Sequence, residues 1–166
     1  MQNNNFNEKF FESVRESTVW NLLSDDRNFI WTEKYLDLYK DKVDWKKISA
    51  NSNVQWTTPM LEKYQQQIDW DELSDSGDER LFTSENLRKF SAHWNWEKLS
   101  RNSDVNWTLE KIEAFKDKVN WEEIIDSYRL DNLYTLEFFE KYKEYIPATK
   151  FQGSNLWNAL MEIHKD

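Results

Sequence analysis

The chain has 166 residues, a formal net charge of −9, two Gly, two Pro and no Cys. Average usage would place roughly twelve Gly and eight Pro in this length, so a turn-rich all-β fold is disfavoured and helices with short connections are expected. The missing Cys removes disulfides, Cys-based zinc sites and thiol nucleophiles, and the acidic balance argues against nucleic acid or anionic lipid, whose phosphates need a basic surface.

The N-terminal segment MQNNNFNEKFFESVRES has no basic region followed by an apolar run, so no secretory signal is expected. No stretch reaches the length of about 18 apolar residues that a membrane helix needs. Phe10, Phe11, Val14 and the run Trp20-Asn-Leu-Leu-Ser fit the register of the repeat that follows. Residues 1–30 therefore read as an N-terminal cap with a partial repeat.

At Trp31 a unit of about 25 residues begins, and it restarts at Trp56, Phe82, Trp107 and, in decayed form, Tyr134. A second aromatic column runs Trp20, Trp45, Trp70, Trp96, Trp121. Between the two lie Leu36, Leu61, Leu87, Ile112, Phe139, then Tyr39, Tyr64, Phe90, Phe115, Tyr142, then Val43, Ile68, Trp94, Val119, Ile146. Within a unit the spacing is helical, as Leu36, Tyr39 and Val43 show. Thr32, Thr57, Thr83, Thr108 and Thr135 are expected to cap a helix A over 33–43, 58–68, 84–94, 109–119 and 136–146. Asp44, Asp69, Asn95 and Asn120 are expected to cap a short helix B over 45–50, 70–75, 96–101 and 121–127. Glu72 and Glu123, three residues past their caps, resemble the acidic arm of a capping box. The polar connectors carry one apolar anchor each, such as Val54, Leu81 or Val105.

At the far end Ala148 stands where the second Trp belongs, and residues 154–164 read as a closing amphipathic helix, so residues 147–166 form a C-terminal cap. The expected fold is all-α: a short right-handed, solenoid-like stack of about five helix–turn–helix units, over residues 31–146, in one domain. The second-column Trp are expected to be the most enclosed.

Trp45 to Trp70 and Trp96 to Trp121 follow the form W-x-x-[LI]-S-x-N-x-x-[VIL]-x-W-T-x-x-x-[LI]-x-x-[YF]-x-x-x-[VIW]-[DN]-W. This resembles the Trp-rich tandem repeats of uncharacterised bacterial and large-virus proteins, over roughly residues 20–146. The resemblance implies a helical-repeat fold and no catalytic residues. The sequence departs from it at Phe82, Tyr134, Ala148 and Ile125, the last where Ser49, Ser74 and Ser100 predict Ser.

No nucleotide-binding, nucleophile-elbow or metalloprotease motif occurs. His93 aligns with Lys42 and Lys118 and so faces solvent, and His164 lies in the last three residues. The acidic run around Gly77 fails the calcium-loop pattern, since Thr83 stands where a Glu is needed. No cofactor, metal or enzymatic activity is expected, and a cytoplasmic protein is. The expected role is binding a protein with a basic surface. The candidate residues are Asp71, Glu72, Asp75, Asp78, Glu79, Glu97, Glu122 and Glu123 on an outward face. The alternative is a small acidic inhibitor, an immunity or counter-defence protein that occludes a basic site on a nuclease or toxin, with nucleic-acid mimicry as one route.

Overall fold

The computed structural model describes residues 3–163, with side chains from residue 8 onward; His164 lies outside the described residues. The chain is all-α, with contacts between successive helices that make it a short helical repeat stack. It divides into two compact halves, Met1–Leu81 and Phe82–Asp166.

The N-terminal half holds α1 (Asn3–Asp25), α2 (Glu33–Tyr39), α3 (Trp45–Ala50), α4 (Thr58–Lys63) and α5 (Trp70–Ser76). Here α3 packs against both α1 and α5. The C-terminal half holds α6 (Ser84–Lys89), α7 (Trp96–Arg101), α8 (Leu109–Phe115), α9 (Trp121–Asp126), a 3₁₀ turn η1 (Tyr128–Leu133), α10 (Leu136–Tyr142), α11 (Ala148–Phe151) and α12 (Asn155–Ile163). There α7 packs on α9, and α12 closes over α9 and η1.

Helix B has the expected extent to within one residue, whereas helix A stops four or five residues early. The aromatic at its end explains the shortening. The Tyr39 carbonyl accepts from both Lys42 N (2.9 Å) and Val43 N (3.0 Å), and Tyr64 and Phe115 repeat the arrangement. That tightened turn hands the chain to an Asp or Asn cap in extended conformation, with ψ of 101° at Asp44 and 97° at Asp69. Thr57, Thr83, Thr108 and Thr135 accept from the amide three residues on, as expected, but Thr32 makes no cap bond.

The capping-box reading is corrected. Asp69 Oδ1 accepts from Glu72 N at 3.1 Å, yet the Asp69 amide donates to Ser49 Oγ of the preceding helix B (2.9 Å), which leaves the Glu72 side chain no amide to reach. The same bond joins Asp44 N to Ser24 Oγ (3.0 Å) and Asn120 N to Ser100 Oγ (2.8 Å). Each serine hydroxyl in turn donates to the Trp carbonyl four residues back: Ser24 to Trp20, Ser49 to Trp45, Ser100 to Trp96, at 2.6–2.7 Å. All three serines are buried, so donor and acceptor are both satisfied where an orphan would be costly. Ile125 breaks the serine column, and the cap it would serve is Pro147. Proline has no amide hydrogen. Donor and acceptor vanish together, and Ile125 packs fully buried instead.

The N-terminal segment also departs from expectation. Rather than a helix A and a helix B, residues 3–25 form one continuous helix. Val19 stands in the cap column, before Trp20, and has no side-chain oxygen with which to start a new helix. Phe10, Phe11 and Val14 are 56%, 58% and 46% exposed and so contribute nothing to the core.

The core is built from the remaining apolar columns. Leu36, Leu61, Leu87 and Ile112 are fully buried, as are Ile48, Leu99 and Ile124, and the anchors Val54, Leu81 and Val105 are buried too. Phe139 is only half-buried, stacked on Phe151 at 5.0 Å, while its neighbour Phe138 takes the core position. Trp94 is buried, its Nε1 donating to the Asn86 carbonyl, and Trp157 packs edge-on to Phe151.

The ranking of the two columns holds only in part. Trp70 and Trp121 are buried, but Trp20, Trp45 and Trp96 are half-buried. In the first column Trp31, Phe82, Trp107 and Tyr134 are buried and Trp56 is half-buried. Second-column rings pack at a tilt against the aromatic at the end of the following helix A, Trp45 on Tyr64 (5.2 Å) and Trp96 on Phe115 (5.1 Å). Their Nε1 groups donate five residues back, to the carbonyls of Lys40 and Ser91. Lysines cover part of the outer rim, Lys42 over Trp20 and Lys118 over Trp96, each 5.7 Å from the ring. Of the two glycines only Gly153 is left-handed, with φ of 88°, where the chain turns from α11 into α12.

Candidate partner-binding face

Helix B of each repeat places the residue after its Trp outward and the next one at its flank. Lys46, Asp71, Glu97 and Glu122 are exposed; Lys47, Glu72, Lys98 and Glu123 are half-buried. Of the eight candidate acids, Asp71, Glu72, Asp75, Asp78 and Glu79 belong to the N-terminal half, on α5 and the turn after it. Glu97 on α7 and Glu122 and Glu123 on α9 belong to the C-terminal half.

Several of these acids already meet a cation of the chain. Lys46 Nζ reaches Glu72 at 3.5 Å, and Lys150 Nζ reaches Glu122 at 2.6 Å. Both pairs join the outward residue of one repeat to the flank position of the next, forming rungs between adjacent helices B. Arg80 holds Asp78, and that contact keeps the Asp78 carboxyl below its usual range. Exposed rungs of this kind contribute about 0–1 kcal/mol each, so they set charge pattern more than stability. Sequence reasoning missed Lys46, Lys150 and Arg80 as counter-ions. For Lys46 and Lys150 the signal was the opposite sign of the first position of one repeat and the second position of the next; for Arg80 it was its place two residues after Asp78.

Two hollows flank α9. One, of about 210 Å³, is lined by Glu122, Asp126, Thr149, Lys150 and Ser154. The other, of about 230 Å³, is lined by Glu123, Asp126, Arg101, Ser127, Tyr128 and Arg129. Glu122 and Glu123 thus open onto different hollows beside one helix, with Asp126 lining both, and each hollow also contains basic side chains. Among the described residues no three His or acidic side chains converge where they could hold a metal ion. His93 is exposed.

On helix A, a carboxylate one residue past the Leu column bonds the next repeat. Asp37 accepts from Tyr64 Oη (2.6 Å) and pairs with Lys63 (2.7 Å). Glu113 accepts from Tyr142 Oη (2.9 Å) and pairs with Lys116 (2.8 Å) and Lys141 (3.0 Å). Lys116, Lys141 and Tyr142, in that order, hold the Glu113 carboxyl down to about 2. A depressed carboxyl stabilises the fold above its unfolded value of 4.5, and that contribution is lost as pH falls from there toward 2. Melting temperature should therefore drop across this window, and Glu113→Gln should flatten the drop; an unchanged acid limb would show that the network contributes nothing.

Comparison with protein-family models, curated proteins and solved structures found no match. Among the described residues no helix is long and apolar enough to cross a membrane.

Proposed function

We propose that this chain is a non-catalytic, protein-binding repeat module whose partner carries a basic surface. One observation carries the reading. In each repeat the buried parts of helix B are held nearly constant, while the exposed residue after the Trp and its half-buried neighbour change from Lys46-Lys47 to Asp71-Glu72, Glu97-Lys98 and Glu122-Glu123. A scaffold with fixed interior and varied outward residues suits recognition along an extended surface. The net charge of −9 favours a narrower second reading, an acidic inhibitor that occludes the basic site of a nuclease or toxin.

Reversing Asp71, Glu72, Glu122 and Glu123 to Lys is expected to keep the helical circular-dichroism spectrum and abolish capture of a basic partner from the native lysate. Capture by the unaltered chain should weaken between about 0.05 and 0.3 M salt, because exposed charges are screened. A reversed protein that captures the same partner with the same salt dependence would overturn the reading. Capture of a nuclease or toxin would favour the inhibitor.

A further inference from the structure

The repeat register shows which columns meet the preceding repeat. In the helix B row these are the cap and the residue three beyond it: the Asp44 amide bonds Ser24, and Lys47 reaches Asp25 at 3.2 Å. In the helix A row they are the Met60 and Lys63 columns. Met60 is 1% exposed, and Lys63 bonds Glu33 and Asp37 of the repeat before it. Their equivalents recur in the other half, where Phe138 meets Trp121 and Lys141 meets Glu113.

In the first repeat these four columns carry Val19, Leu22, Tyr35 and Leu38, which are 59%, 64%, 39% and 63% exposed. The face that later repeats cover is here apolar and open. It continues along α1, where every described residue from Glu8 to Val19 is exposed and Phe10, Phe11, Val14 and Leu22 lie along one side. A helical segment without tertiary packing is marginal in water, so this one gains from being covered.

We propose that a second copy of this chain covers this face, forming an isologous dimer through α1. The apolar side chains offer on the order of 400–500 Å² per copy. That matches the apolar share of the roughly 800 Å² per partner that a standard interface buries. Charges beside the stripe have both signs, Glu8, Glu12 and Glu16 against Lys9 and Arg15, so two copies do not repel there despite the acidity of the whole. In the C-terminal half α12 closes over α9 and η1, with Leu156 and Leu160 buried. A contact of one face with itself closes at two copies.

Sedimentation equilibrium of the full chain tests this. At about 50 μM the protein is expected at twice its 20.4 kDa chain mass. The variant Phe11→Glu/Leu22→Glu is expected at single mass with an unchanged thermal transition for the core, since both side chains are more than half exposed. Glu97→Lys, on α7, is expected to remain dimeric. A monomeric unaltered chain overturns the proposal, and so does a Phe11→Glu/Leu22→Glu variant that stays dimeric. Partner capture is a separate readout: Phe11→Glu/Leu22→Glu should still bind the basic partner through the acidic pairs, so either reading can fail alone.

Discussion

Trp31→Ala is expected to destabilise the protein by about 3–5 kcal/mol in urea unfolding, the range for removing a fully buried aromatic. Trp45→Ala should cost less, because its ring is half-buried on the outer rim. Trp31→Phe separates packing from hydrogen bonding. The buried Nε1 of Trp31 has no hydrogen-bond partner, so removing this unsatisfied donor offsets part of the cavity left by the smaller ring, and Trp31→Phe should cost far less than Trp31→Ala. Phe82 already occupies the same column fully buried. At the last position the column behaves differently. The single Tyr134 Oη proton is shared between the carbonyls of Ile124 (2.7 Å) and Ser127 (2.9 Å), so Tyr134→Phe should cost about 1–3 kcal/mol by orphaning a buried acceptor. Equal losses for Trp31→Ala and Trp45→Ala would contradict the depth order of these two positions.

Ser49→Ala carries the next largest expectation, a loss of about 1–3 kcal/mol from a single hydroxyl. It strips the Asp69 amide of its acceptor and the Trp45 carbonyl of a donor. Ser49→Thr, which keeps the hydroxyl, should recover part of that loss, limited by the room for a methyl group. The urea midpoint should fall with little change in slope. If Ser49→Ala matched an exposed control such as Ser52→Ala, the link between repeats would have no energetic weight.

How far the sequence could be read depended on what each feature needs. Caps at Thr57 and Asp69 are local, one side chain serving an amide three residues away, and they stood in the sequence with helix B almost to the residue. Membership of the aliphatic columns was equally plain, because Leu36, Leu61, Leu87 and Ile112 recur at one register position, although Phe138 rather than Phe139 takes the last core place. Burial depth was not, since Trp31 and Trp45 are the same residue type and only tertiary placement puts one inside and the other on the rim. The continuous α1 was present in the sequence as a missing cap at Val19, but the recurrence of Trp20 suggested a break there. The counter-ions of the acidic face were missed for a related reason. Composition shows the acids, whereas the pairings of Glu72 with Lys46 and Glu122 with Lys150 join residues about 26 to 28 apart and need the stack to bring them together.

The exchange of Ser and amide for Ile125 and Pro147 fixes where this molecule can lengthen. A 25-residue segment spliced in at the Ser24/Asp44, Ser49/Asp69 or Ser100/Asn120 joint would receive an acceptor from the segment before it and supply one to the segment after it. No group at either seam would be left wanting. Past Ile125 an ordinary segment would bring a cap amide to a side chain that cannot accept it. Duplication is tolerated on one side of this point and penalised on the other, so the serine column gives the array a growing region and a terminus, written in donors and acceptors.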